Sequence, residues 1–284
     1  MTDIVRFGGA QIPCSSSIDA NLITLKKAID WAAENDVEYL VTPEAALSGY
    51  SDDFNDNPAK LADALAEIEL YAIKKHVGLC LGTLWNEIEF NGNIKRNQIR
   101  YYKNDGKFLG ITNKNITIEQ DARMGIVNDH RILGMILPVG PTSEQVILAG
   151  GLICVDLFGT IDRDNVPSVL YSMGIKLMIH ATNGMRGEWP TNPEETELAD
   201  EVMDHWHDAN FRRYSFLSKV PIITVDNCYM MDGKEYHGKT SSQSGVIING
   251  RWATKVPRTG TQYFYYDFNL KDIVYTPPIN TDTL

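Results

Sequence analysis

Two kinds of periodicity alternate along the chain. The opening IVRFGGAQI has the length and apolar character of a strand. After it Asp19 reads as a helix N-cap, and Leu22, Leu25, Ile29 and Ala32 recur at the spacing of one helical face. VEYLVTPEA follows as a short buried strand that runs into a turn at Pro43. Asn57-Pro58 opens the next helix, a cap residue followed by proline in the first turn, and Leu61, Leu65, Ile68 and Ala72 carry its apolar face towards His76. VGLCLGTLW is a second buried strand, and RNQIRYYKNDGKFLGI is a hairpin turning at Asn104-Asp105-Gly106.

The second half repeats this rhythm. GGLICVDL is a strand, VPSVLYSMG a short helix, and IKLMIHATNG a strand that ends in polar residues. Asn192-Pro193-Glu194-Glu195 starts another helix with acids in its first turn, and Leu198, Val202 and Trp206 mark its expected apolar face. VPIITVDN is a further buried strand, and SGVIINGRWATK a hairpin turning at Asn249-Gly250. The order predicts a mixed α/β protein with helices packed outside sheets. VEYLVTPEAALSG and IKLMIHATNGMRG echo one another, each following a helix, rising through an apolar strand and ending in small and polar residues. In α/β folds ligands gather beyond the carboxyl ends of strands, so Glu44, Asn183 and Cys154 are candidates for one crevice.

Composition narrows the function classes. Of 284 residues, 43% are hydrophobic and 22% charged, as in an ordinary globular protein. Thirty-seven acidic against 26 basic residues give a net charge of −11, and no basic run stands out, which argues against nucleic acid or an anionic membrane surface as partner. No apolar segment reaches the roughly 20 residues of a membrane span. MTDIVRFGGAQ lacks the pattern of a secretory signal, so a cytoplasmic location with reduced thiols is expected. Cysteines 14, 80, 154 and 228 are too far apart for a CxxC motif.

Each cysteine is therefore core filler or a reagent. A thiol with its ordinary pKa of about 8.5 needs a base or a positive field to react near neutrality. His180 ends a strand and is a candidate base for Cys154, although no protease-like signature surrounds it. His205 and His207 lie two apart in the acidic helix, do not face the same side, and read as a solvated face rather than a metal site. Glu44, directly after a buried strand, is either at the surface or functional, because a buried unpaired carboxylate is costly. Lys114 and Glu119, taken alone, read as a solvated loop ion pair.

In order, however, TPEAALSGY, GKFLGITNKNITIE and GLICVDLF resemble the three signature blocks of the nitrilase superfamily of carbon–nitrogen hydrolases. The likeness extends to the AQI strand, the NQIRYYKNDGKFLG hairpin, VPIITVDN and the SGVIINGRW hairpin. The resemblance implies a four-layer α-β-β-α sandwich, read as a single domain over residues 1–284, that assembles as a homodimer or higher homo-oligomer. It implies Glu44 as general base, Lys114 and the backbone N–H of Val155 as stabilisers of negative charge, Cys154 as nucleophile, and Glu119 as a residue that orients Lys114 or shares the proton network. That chemistry calls for no metal or organic cofactor, and the expected partner is a small-molecule amide or carbamoyl substrate.

True nitrilases usually follow the cysteine with tryptophan and glutamate, whereas Val155-Asp156 follows here, which leans towards an amidase-type member. Asn183 and Tyr50 are candidate substrate-binding residues, with Arg186 and Trp189 in segments that flank the expected pocket. A nitrilase, an acyltransferase, or a catalytically silent binding protein on the same fold are the alternatives. A base, a cation and a nucleophile retained together favour the hydrolase.

Overall fold

The computed structural model describes residues 4–50, 54, 57–89, 92–140, 144–159, 166–184, 193–228, 230–231, 234–235 and 240–275. In the first half, β1 (Ile4–Gln11), α1 (Ile18–Glu34), β2 (Tyr39–Val41), α2 (Pro58–Lys75), β3 (Gly78–Glu89), β4 (Gly92–Tyr102) and β5 (Phe108–Asn113) follow in turn. A five-residue helix, α3 (Glu119–Arg123), leads on to β6 (Gly134–Val139) and β7 (Gln145–Ile153). A 3-10 turn, Cys154–Leu157, closes β7 and precedes α4 (Val166–Ser172), β8 (Leu177–Ala181), α5 (Pro193–Ser218) and β9 (Ile222–Val225). The short pair β10 (Met230–Met231) and β11 (Lys234–Glu235) stands apart, followed by β12 (Gly245–Ile248), β13 (Arg251–Lys255), β14 (Gln262–Asn269) and α6 (Leu270–Ile273).

Two six-stranded sheets result, in the orders β14-β1-β2-β3-β4-β5 and β13-β12-β9-β8-β7-β6. The centre of each is parallel, β1-β2-β3 in one and β7-β8-β9 in the other, with antiparallel strands towards both edges. The sequence echo is thus a real equivalence, since β2 and β8 occupy the same place in their sheets. Central strands buried on both faces read as unbroken apolar runs. In β7, β8 and β9, Ile153, Ile179 and Ile223 face the opposing sheet, while Leu152, Met178 and Ile222 face outward into the core beneath α4 and α5. On the far side α1 and α2 cover the first sheet through Leu25, Ile29, Leu61 and Ile68. The layers are therefore α, β, β, α.

Local chemistry accounts for the element ends. The α1 cap is Ser17, whose hydroxyl accepts from the N–H of Ala20, and the expected Asp19 instead sits in the first turn, where its charge suits the helix dipole. Pro58 opens α2, and His76 ends it in the left-handed region at φ 57°. The β12–β13 hairpin turns through Asn249 and Gly250, both at positive φ, as a two-residue hairpin turn requires.

One expected face is corrected. Leu198, Val202 and Trp206 of α5 are 62, 57 and 42% exposed, while His207, Phe211, Tyr214 and Ser215 form the buried stripe. These last four recur at i, i+4, i+7 and i+8, and the apparently polar His207 belongs to the inner face. The reading of His205 and His207 as one solvated face holds for His205 alone.

Candidate active site

The carboxyl ends of β2 and β8 meet across the interface between the sheets. β2 runs into Pro43-Glu44-Ala45, where Ala45 takes φ 55° and turns the chain sharply. Gly82 on the neighbouring β3 makes room for this turn, because a Cβ there would stand 1.9 Å from the Pro43 carbonyl. From β8, Asn183 donates its N–H to Glu44 Oε2 at 2.8 Å and its amide Nδ2 to the Glu44 carbonyl at 3.2 Å. The Asn183 Oδ1 in turn accepts from Asn227 at 2.6 Å, so its amide is committed to holding the two strand ends together.

Lys114 follows β5 and is fixed through its backbone, its N–H donating to the Asn97 carbonyl and its own carbonyl accepting from Asp129. The Nζ reaches Glu44 Oε1 and Asp121 Oδ2, each at 2.8 Å, and all three side chains are at most 1% exposed. Glu44 Oε1 also accepts from the Tyr50 hydroxyl at 2.6 Å and from Asn97 Nδ2 at 2.7 Å. Among the described residues Oε2 accepts only from Asn183, which leaves that oxygen with lone-pair capacity. Burial alone would discharge Lys114, but the carboxylates of Glu44 and Asp121 outweigh it and hold the ammonium charged.

Glu119 does not reach Lys114. It is exposed and pairs with Arg123 one helical turn on, while Asp121 faces inward, supplies the second carboxylate and accepts from the Ile118 N–H. A helix of five residues can turn only one of these acids towards the lysine, and it turns Asp121.

Cys154 sits at the end of β7 with φ 51°, a left-handed conformation that a non-glycine residue adopts only when its surroundings enforce it. Burial and then the Glu44 charge push its thiol up to about 12, against the pull of Lys114 and of the Thr182 hydroxyl that bonds the sulfur. The sulfur is thus a neutral thiol in the resting protein. His180 touches the Cys154 carbonyl, not the sulfur. Its Nε2 lies 3.0 Å from that oxygen and its Nδ1 2.8 Å from Thr224 Oγ1, so Nε2 carries the proton. Burial lowers its pKa to about 3 and keeps the ring uncharged, which makes it a prop beneath the turn rather than a base.

Asp156 stitches the segments that carry Lys114 and Cys154 together, accepting the N–H groups of Ile153, Asn115 and Ile116 at 2.8–3.2 Å. Burial raises it to about 7, against those donors and Lys114. Asn97, Asp121, Thr182 and Asp156 all escaped sequence reading. For Asn97 the available signal was a polar residue in register with the inward-facing Ile99 and Tyr101.

These groups open onto a cavity of about 360 Å³ whose lining includes Glu44, Tyr50, Lys114, Cys154 and Asn183 together with the apolar Ile118, Val155, Phe158, Met203 and Trp206. Arg186 and Trp189 lie outside the described residues. A larger open groove, about 870 Å³ beside Trp85, Arg100 and Arg131, shares none of these groups. Among the described residues no three His, Cys, Asp or Glu side chains gather in a way that could hold a metal ion.

Comparison with known proteins gives the fold its family. The carbon-nitrogen hydrolase family model matches residues 6–276. The chain belongs to the carbon–nitrogen hydrolase family. A carbon-nitrogen hydrolase from Helicobacter pylori superposes on this hydrolase with a TM-score of 0.74 at 14% identity, covering 95% of this chain and 90% of the other. Saccharomyces cerevisiae Nit3, a member of branch 10 of the nitrilase superfamily, gives 0.69 at 17% identity over 95% and 91%. A mutant amidase of the superfamily from Nesterenkonia, carrying the acetamide moiety of fluoroacetamide on its active-site cysteine, gives 0.67 at 13% identity over 94% and 91%. No curated protein matches this carbon–nitrogen hydrolase.

Proposed function

We propose that this carbon–nitrogen hydrolase is an amidase-type enzyme that cleaves small amides or N-carbamoyl compounds through a thioester on Cys154. One observation carries the reading: a buried lysine held between Glu44 and Asp121 at the floor of the cavity that Cys154 lines. A cluster with two carboxylates and one ammonium carries net negative charge, so the thiol beside it stays protonated until a base acts. Glu44 Oε2, with spare acceptor capacity, takes the Sγ proton as sulfur attacks the substrate carbonyl carbon. Negative charge forming on the carbonyl oxygen is met by Lys114 and by the N–H of Val155, the second residue of the 3-10 turn. The tetrahedral adduct collapses, the C–N bond breaks, and Glu44 returns the proton to the departing ammonia or amine. Water then gives a proton to the same carboxylate and attacks the thioester, and the acid leaves as the proton returns to sulfur.

The test is ammonia release from a panel of small amides, ω-amides, N-carbamoyl compounds and nitriles, with Cys154→Ala in parallel. Release from an amide or carbamoyl compound that vanishes in the variant supports the reading, as does intact mass showing one acetamide moiety added to wild type, and none to the variant, after fluoroacetamide. Folded wild-type protein that releases nothing from the panel overturns it.

We also propose assembly through α5. Leu198, Val202 and Trp206 present an exposed apolar row at i, i+4 and i+8, suited to a second copy of the chain.

A further inference from the structure

The cavity lining is of two chemical kinds. Glu44, Tyr50, Lys114, Thr182 and Asn183 supply polar, hydrogen-bonded groups, whereas Ile118, Val155, Phe158 and Met203 supply an apolar wall. Phe158 is wedged among rings, with centroids 4.5 Å from Trp206, 4.8 Å from His207 and 5.8 Å from both His180 and Phe211, so this wall is rigid rather than adaptable. Resting on the amide-hydrolase reading above, we propose that the site selects amides whose acyl part is uncharged and apolar, with Phe158 and Met203 as the residues that read that part.

Charge decides against the alternative, an amide with a distal carboxylate. Among the described residues Lys114 is the only lysine or arginine lining the cavity, and it is already shared by Glu44 and Asp121. His207 offers no replacement, because burial lowers its pKa and favours the neutral ring. A carboxylate on the acyl chain would lose water against the half-buried Phe158 and Met203 without a counter-charge, next to a cluster already negative. An aliphatic chain loses nothing there and gains burial. At about 360 Å³ the space suits a compact chain or ring and is at the small end for ligand sites.

The experiment measures kcat/KM for acetamide, propanamide, butanamide and pentanamide beside 4-amino-4-oxobutanoate, which places a carboxylate where pentanamide has its chain end. In wild type, kcat/KM is expected to rise about fourfold per methylene, the ~0.8 kcal/mol of burying one, until the wall is reached. The carboxylated amide is expected about a hundredfold or more below pentanamide. Phe158→Ala flattens the chain-length rise. Met203→Lys, a change at a half-buried position that keeps a long side chain, narrows the discrimination against the carboxylated amide by about tenfold or more. Equal or better use of the carboxylated amide by wild type overturns the proposal and leaves the hydrolase reading standing, since Cys154-dependent turnover is still seen. A rise unaltered in Phe158→Ala, with discrimination unaltered in Met203→Lys, also overturns it. Absence of Cys154-dependent release from every compound overturns both.

Discussion

Lys114 is held by two carboxylates, Glu44 and Asp121, each 2.8 Å from its ammonium. Glu44 follows a buried strand at a proline turn, where a carboxylate without a purpose would be costly, and Cys154 and Lys114 complete three blocks in a recognisable order. Asp121 was passed over because a glutamate stands two residues earlier, and which of two acids faces inward depends on where a five-residue helix starts. Asp121→Asn is expected to lower kcat roughly ten- to a hundredfold with circular dichroism unchanged, short of the loss that follows removal of an oxyanion donor outright. Glu119→Gln, at a solvated pair with Arg123, is expected to change kcat/KM less than about twofold. His180 makes a different prediction. Its folded pKa of about 3 lies below the ordinary 6.5, so the unfolded chain binds the extra proton between those values, and the stability of the fold is lost as pH falls from about 6.5 towards 3. Asp156, raised to about 7, acts with the opposite sign between about pH 4 and 7. Urea midpoints compared between about pH 7 and 4 for wild type and His180→Gln check both signs: the variant, which keeps Asp156 and lacks the ring, is expected to gain stability relative to wild type as pH falls.

Among the elements, strands and hairpins were the most legible, because chains buried on both faces are apolar without interruption and Asn-Gly or Asp-Gly marks the turn. The longest helix was the least. Its inner stripe in α5 contains His207 and Ser215, and its outer row carries Leu198, Val202 and Trp206, so hydrophobicity alone selected the wrong side. The close passage of β3 against the turn after β2 also left little trace beyond one glycine. Gly82→Ala would drive a methyl group into the Pro43 carbonyl and displace Glu44 with it. A fall in kcat/KM of about tenfold or more is expected, with unfolding still cooperative in a thermal melt.

For the whole molecule, the exposed row on α5 predicts association. Sedimentation is expected to show a dimer for wild type and a monomer for Val202→Asp, and a wild-type monomer at micromolar concentration would remove the proposed interface. A mixed α/β protein with helices outside sheets was legible from the alternation of strand and helix periods, and the four layers were what the family resemblance implied, but the meeting of distant segments was not legible, since no periodicity reports which strand ends face each other across a sandwich. That meeting has a consequence in time. Glu44, Asn97 and Lys114 stand on one sheet, and Cys154, Thr182 and Asn183 on the other. On the proposed chemistry neither half of the chain holds a working set, however well each has formed. Regain of turnover after dilution from denaturant therefore dates the docking of one sheet upon the other, and it should lag behind the far-ultraviolet signal that records the sheets themselves.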